Sequence, residues 1–466
     1  MFTYIRSTLK DKAMMRTIFL LAWPTMLEEA LQCIVTYADT AQVGVMGANA
    51  SAAIGLTTTV TWMTFYPMYA AGMSVTSCIS MALGAKDARR AKTAAAQAVL
   101  LVLVLGLAIM GITLAVSPFL PGWLGGAQEI RKDASVYFAI ICAPMLFRAA
   151  SIIMGAAIRA TGNTKTPMLI STLMNVVNII LNFLFISPTR TTMVFGHNFT
   201  VWGAGWGVAG AGIASALSLI LGGTLMTIAA WRCPELGLSF RRIRYDRDVM
   251  GQCVRVGVPI AGERVLFSFG QVIFTAITAR LGTVAMAAHS IALTAEQAFY
   301  IPGYGMQTAA ATLAGYSAGE KNEKHLMQYS STIMFIATLL MTLLSTALFL
   351  FAEPIMSIFT PDRQVVELGG LALRIVAVSE PFFAVLVILE GIFSGLGDTK
   401  APFVFSLISM WGVRLTSTWL CVVVFKLGLG SVWLCMSADN IFRFSMMMVR
   451  FLRGKWKKGL HFIQST

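Results

Sequence analysis

Adding 235 to a residue number carries one long stretch of this chain onto another without a gap. Pro24 maps to Pro259, Glu28 to Glu263, Gly47 to Gly282 and Ala52-Ala53 to Ala287-Ala288. The same offset takes Pro67 to Pro302, Tyr69 to Tyr304, Gly84 to Gly319 and Lys86 to Lys321, and it takes Gly162-x-Thr164-Lys165-x-Pro167 to Gly397-x-Thr399-Lys400-x-Pro402. Gly and Pro each make up only about 5 to 7% of average sequence. So many identities at one offset mark a duplicated unit.

The solvent for that unit is a bilayer. Hydrophobic residues make up 57% of the chain and charged residues 12%, with a mean hydropathy of +0.75. A soluble surface usually needs about 25% charge. Apolar runs of spanning length recur, among them Ala98 to Val116, Pro167 to Ile186, Ile213 to Ala230, Ile333 to Phe351 and Val404 to Phe425. The pattern predicts twelve helices starting near residues 17, 52, 93, 130, 166, 207, 250, 285, 328, 365, 402 and 428, six to each copy. An even number per copy starts both copies on the same side, so the repeats are parallel and related by an axis along the membrane normal. The expected fold is an all-α polytopic membrane protein: twelve transmembrane helices in two pseudo-twofold-related six-helix lobes. The N-lobe spans 15–230, a linker 231–249 and the C-lobe 250–455.

Charge placement orients the chain. Lys and Arg concentrate in the N-terminal arm (Arg6, Lys10, Lys12, Arg16), in alternate loops and in the segment Arg450 to Lys458, which places both termini in the cytoplasm. The net charge of +14 is therefore a topology signal, and no folded basic domain exists to bind nucleic acid. The first apolar stretch contains Trp23-Pro24 and Glu28-Glu29, lacks a small-residue cleavage site and recurs at Pro259. It reads as a retained span, not a signal peptide. The seven cysteines are scattered, without metal-ligand spacing.

Ionisable side chains within spans are costly and mark candidate sites. Glu28, Glu29, Asp39, Glu263, Glu296, Glu380, Glu390 and Asp439 fall within spans, against Arg148, Arg264, Arg374 and Arg414. A net acidic interior favours a path for cations or protons; the competing reading is that several of these carboxylates pair with the arginines. At 100° per residue, Pro24, Glu28, Gln32, Val35 and Asp39 share one stripe of span 1. Asp39 lies about 20° round from Glu28 and about 16 Å further along. Ser171, Asn175, Asn178 and Asn182 form a stripe on span 5, as a functional face or as interhelical glue. In span 8 Glu296, Tyr300, Gly303 and Gln307 share a face, where span 2 carries Thr61, Phe65, Met68 and Gly72. The lobes thus match in backbone and differ in polarity. Prolines inside spans, including Pro24, Pro67, Pro144, Pro259, Pro302 and Pro381, either break helices or leave static kinks.

The first half carries Pro24 with Asp39-Thr40-x-x-Val43-Gly44-x-x-Gly47, Leu83-Gly84-Ala85-Lys86, Arg159-Ala-Thr-Gly-Asn-Thr-Lys-x-Pro167, Asn178-Ile-Ile-Leu and Gly210-Ala-Gly-Ile-Ala-Ser215. The second half adds Ala288-His289 and Gly395-Leu-Gly-Asp-Thr-Lys-x-Pro402. In these motifs and their order the chain resembles the multidrug and toxic compound extrusion (MATE) family along almost its whole length, closest to the bacterial DinF-like branch. The resemblance implies a twelve-helix antiporter of a bacterial cytoplasmic membrane. It would act as a monomer and expel small organic, often cationic and amphipathic, compounds in exchange for protons or sodium ions, with no other cofactor. It further implies ion coupling at Asp39, with Asn178 and Ser215 as polar partners. Asn182 stands where many relatives carry an aspartate, which favours a proton over sodium at that site. Glu263 lies closer to Pro259 than the span 7 glutamate of other branches, so that glutamate's role is not carried over. Glu28, Gln32, Glu263, Glu296, Tyr300, Gln307 and Glu380 are the candidates for the substrate cavity.

Two other readings remain. A lipid-linked precursor flippase of the same superfamily would share the fold but needs a large cationic groove, and the internal arginines are few. An intramembrane enzyme needs a catalytic grouping, which His197, His289, His325 and His461 do not form in sequence.

Overall fold

A computed structural model describes residues 2–44, 46–194, 197–454 and 456. Lys455, Lys457 and Lys458 of the basic tail, and His461, lie outside the described residues. A short amphipathic helix α1 (Phe2–Lys10) comes first. There follow α2 (Lys12–Gly44), α3 (Ala48–Gly84), α4 (Ala88–Val116), the single turn α5 (Leu120–Trp123), α6 (Gln128–Cys142), α7 (Met145–Ala160) and α8 (Lys165–Ile186). A two-stranded antiparallel hairpin, β1 (Pro188–Val194) with β2 (His197–Ala204), precedes α9 (Gly207–Arg232). The second half holds α10 (Arg247–Ala279), α11 (Thr283–Gly319), α12 (Glu323–Leu350), the short α13 (Ala352–Phe359) and α14 (Arg363–Gly395). Next comes a mixed helix, in which α15 (Lys400–Leu407) and α16 (Thr416–Trp419) alternate with π-helical stretches at Ile408–Leu415 and Leu420–Val424, and then α17 (Leu429–Leu452).

Twelve helical segments of spanning length thus occur among the described residues, counting α6 with α7 and the mixed helix as one each. Eight are long and apolar enough to cross a membrane by length and composition alone, and the bent pair α6–α7 makes a ninth. Each begins at or within a few residues before or after its expected start. Several first turns are polar and so carry no hydropathy signal; α4 opens with Arg89, Arg90 and Lys92. At the 235-residue offset α2 maps onto α10, α3 onto α11, and α6 with α7 onto α14, end for end. Even rare backbone conformations repeat: Gly47 and Gly282 have φ of 100° and 97°, and Lys86 and Lys321, closing α3 and α11, have φ of 57° and 54°. A left-handed lysine is uncommon, so its recurrence at matched helix ends reflects one turn built twice.

Of the six prolines singled out, only Pro144 falls at a break, and there α6 and α7 meet at 46°. Pro24, Pro67, Pro259, Pro302 and Pro381 sit inside continuous helices. Helix α1 and the β-hairpin were not expected, because neither is long or apolar enough to register against a spanning template.

Two units emerge. Unit 1 comprises Met1–Glu29, Thr76–Asp87 and Val254–Thr466; unit 2 comprises Ala30–Val75 and Ala88–Cys253. In lipid the hydrophobic effect does not press helices together, so close packing relies on small residues. Within unit 1, α14 lays Gly391 and Gly395 against α11, where a Cβ would stand 2.5 Å from the Gln307 carbonyl oxygen and 2.1 Å from that of Ala311. The surrounding core is Ala309, Ala310, Leu313 and Ala314 of α11 against Leu386, Leu389, Ile392 and Phe393 of α14. Within unit 2, α9 approaches α7 as closely: a Cβ on Gly223 would lie 2.2 Å from the Phe147 carbonyl oxygen.

Candidate functional site

Unit 2 gathers the stripe of span 5. Asn175, Asn178 and Asn182 are all buried on α8. Asn182 Nδ2 donates to Asp39 Oδ1 of α2 at 2.7 Å and approaches Asn178 Oδ1 at 3.3 Å; Asn178 Nδ2 in turn donates to Ser215 Oγ of α9 at 3.3 Å. Asp39, Asn182, Asn178 and Ser215 therefore form one hydrogen-bonded chain across three helices. Among the described residues, Asn175 Nδ2 and Asn182 Oδ1 are buried without a hydrogen-bond partner. Tyr137 of α6 lies within electrostatic range of both Asp39 and Arg148, and Arg148 stacks over the Phe65 ring at 5.8 Å. Sequence reasoning missed Tyr137: a lone tyrosine in a span carries no periodic signal.

Unit 1 holds a second cluster. On α11 the Tyr300 hydroxyl donates to Glu296, and the Tyr300 ring lies 4.4 Å from that of Phe383 and 6.3 Å from that of Tyr304. Glu380 of α14 is fully buried, and neither of its carboxylate oxygens has a hydrogen bond of normal geometry among the described residues. Neither Glu296 nor Glu380 forms an ion pair among the described residues. Two carboxylates enclosed with aromatic rings need a positive partner, either a proton or a cationic guest.

Two other span carboxylates of this unit, Glu390 and Asp439, are answered by arginines. Glu390 stands between Arg264 and Arg443 at 3.6 Å each and takes a weak hydrogen bond from Gln307 Nε2 at 3.4 Å. Asp439 pairs with Arg414 at 2.6 Å and accepts the Ser409 hydroxyl. Ser409 and Arg414 are five residues apart, which on an α-helix sets them about 140° from each other. The π-helical stretch, with its i→i+5 bonds, narrows that angle and lets both reach one carboxylate. Glu263 accepts the Ser406 hydroxyl at 2.6 Å. Of the remaining candidates, Glu28 is half-buried and Gln32 exposed on α2. His289 is buried between the Phe274 and Trp433 rings and His325 meets Glu320 at 3.1 Å, so these two histidines share no grouping.

With this geometry in view, comparison with known proteins is decisive. The MatE family model matches residues 24–184 and again 259–420, two stretches that begin 235 residues apart. The chain belongs to the MatE family. Members of that family are membrane transporters rather than enzymes, and this one is a multi-pass protein of a lipid bilayer. A probable multidrug resistance protein NorM of Thermotoga maritima is 30% identical over 445 residues, covering 94% of this chain and 92% of its own. An uncharacterized transporter, YisQ, of Bacillus subtilis is 23% identical, covering 95% and 96%. A crystal structure of a MATE protein in complex with MaL6 superposes with a TM-score of 0.85 over 97% of each chain at 22% identity, a likeness of fold.

Proposed function

We propose that this MatE-family chain is a secondary active antiporter of a bacterial cytoplasmic membrane, monomeric and with both termini in the cytoplasm. It exports organic, mainly cationic and amphipathic, compounds in exchange for protons by alternating access. The observation that carries the reading is the contrast among span carboxylates: Glu390 and Asp439 are matched by arginines, while Asp39, Glu296 and Glu380 form no ion pair among the described residues. A carboxylate without a fixed countercharge is suited to exchange one positive guest for another. The name borne by the Thermotoga maritima relative supports multidrug export. The Tyr300, Tyr304 and Phe383 rings beside Glu296 supply the aromatic faces that favour organic cations.

The proton is preferred over sodium at Asp39 because that group is the single carboxylate of its hydrogen-bonded chain. Sodium prefers several hard oxygen ligands. A flippase reading is weaker, since Arg264, Arg414 and Arg443 are already engaged with carboxylates. The test is a proteoliposome carrying the purified protein and a fluorescent organic cation, with either a proton gradient or a sodium gradient imposed alone. The proton gradient is expected to drive transport. A response to sodium at equal pH on both sides, with none to protons, would overturn the coupling assignment, and absence of any cation transport across a broad panel would overturn the substrate class.

A further inference from the structure

The segment between α9 and α10 is a built structure and not a slack connection. It leaves the end of one spanning helix at Arg232 and enters the next at Arg247, so it lies at the boundary between apolar and polar surroundings. Leu236 and Leu238 are buried, and Gly237, at φ +49°, packs against the aliphatic stem of Lys92. Phe240–Arg242 makes a 3-10 turn. The fully buried Gln97 of α4 then clamps the backbone from both sides, donating Nε2 to the Arg244 carbonyl at 2.8 Å and accepting from the Asp246 N–H at 3.2 Å.

Outward, the segment presents an unusual surface. Phe240 is 83% exposed and Tyr245 68%, and the side chains of Arg241, Arg242 and Arg244 are exposed among them. The nearby acidic groups have local duties. Glu235 accepts from the Cys233 thiol at 3.1 Å, Asp246 caps α10 by accepting from the backbone N–H groups of Asp248 and Val249, and Asp248 sits in the first turn of α10, where the helix dipole favours it. Arg242 donates Nη1 to the Gly237 carbonyl at 3.2 Å, which fixes that guanidinium's direction.

We propose that this face docks the phosphate head groups of anionic phospholipids. Guanidinium forks match phosphate oxygens in a bidentate way. Aromatic rings favour the membrane interface, and basic clusters beside a spanning helix attract anionic lipid. A nucleic acid would require a broader basic face than the three arginines Arg241, Arg242 and Arg244 supply. The inference stands apart from the transport reading, so either can fail alone.

Trp231 provides a reporter, because its ring lies against that of Phe240, tilted by 42° with the centroids 4.9 Å apart. The full-length protein is reconstituted in phosphatidylcholine vesicles holding equal fractions of bromine-labelled phosphatidylglycerol or bromine-labelled phosphatidylcholine, and the Trp231 signal is isolated by difference from Trp231→Phe. Stronger quenching by the brominated phosphatidylglycerol is expected. The variant Arg241→Gln/Arg244→Gln, which spares Arg242 and its backbone bond, should weaken that preference by roughly fivefold for each arginine removed. High salt should diminish it as well. Equal quenching by the two lipids, or a preference unchanged in the double variant, would overturn the proposal. Relief of quenching by millimolar inorganic phosphate would reassign the site to a soluble anion.

Discussion

Arg414 and Asp439 offer the sharpest test of the division between structural and exchanging carboxylates. Asp439 is fully buried and the Arg414 side chain is 6% exposed, so neither charge has water to fall back on. Their contact at 2.6 Å is reinforced by the Ser409 hydroxyl on Asp439 and by the Phe267 and Phe274 rings 5.4 and 5.6 Å from the guanidinium. Removing one partner of such a pair leaves a bare buried charge and costs about 3 to 5 kcal/mol, whereas replacing both with apolar residues of similar volume is often close to neutral. Asp439→Leu and Arg414→Leu should therefore each sharply lower the yield and melting temperature of detergent-purified protein. The double variant should recover part of the loss, since Gln271 and Asn440, which take hydrogen bonds from Arg414 at 3.4 Å, each lose a partner at about 1 to 3 kcal/mol while Ser409 keeps the Asp439 backbone carbonyl. A double-mutant cycle on thermal unfolding should give a coupling of about 3 kcal/mol or somewhat less, at the upper end for residues in direct contact. Single variants that fold normally but no longer transport would refute the reasoning, because the pair would then belong with the exchanging groups.

The remaining expectations separate folding from exchange in the same way. Asp39→Asn should leave expression and melting unchanged and abolish coupled efflux, measured as drug resistance in cells lacking their own pumps; Glu28→Gln should matter far less. Glu380→Gln should fold and lose cation transport, while Tyr300→Phe, which keeps the ring against Phe383 but removes the hydroxyl donated to Glu296, should retain folding and change apparent substrate affinity in a transport assay. Gly395→Leu should prevent assembly of unit 1, seen as loss of detergent-stable protein, since even its Cβ would lie 2.1 Å from the Ala311 carbonyl oxygen; a variant that melts at the parental temperature would show that α11 and α14 can part without penalty.

Much of this architecture was written in periodicities that survive without a partner. Spanning runs are continuous over some twenty residues, and a duplicated chain prints each helix boundary twice, so α2 and α10 or α3 and α11 could be placed from their punctuation by Gly and Pro. The Asp39 site was readable for a related reason: Asn175, Asn178 and Asn182 recur at helical spacing, and a polar stripe on an apolar helix must face something. Pairing was not readable. Nothing in the order of residues tells Glu390, flanked by Arg264 and Arg443, from Glu380, with no hydrogen bond of normal geometry, because that distinction arises only when α10, α14 and α17 pack. The π-helical stretch that carries Ser409 and Arg414 to Asp439 was equally hidden, since it left no periodic signal that separates it from an α-helix.

The duplication also shows where the two copies parted. At the 235-residue offset Asp39 corresponds to Phe274, which packs edge-on against the buried His289 ring, and Asn182 corresponds to Ser417. In the other direction Glu296, Tyr300 and Glu380 correspond to Thr61, Phe65 and Met145. The ends of α2 and α10, of α3 and α11, and of α6–α7 and α14 match at this offset, with left-handed turns repeated at Gly47 and Gly282 and at Lys86 and Lys321, while each of these polar positions differs in polarity between the copies. For those matched helices the constraint on geometry is common and the constraint on chemistry is not. A single guest held symmetrically by both copies would have preserved matched ligands; the mismatch instead favours one carboxylate chain specialised around Asp39 and a separate, aromatic-lined carboxylate pair around Tyr300.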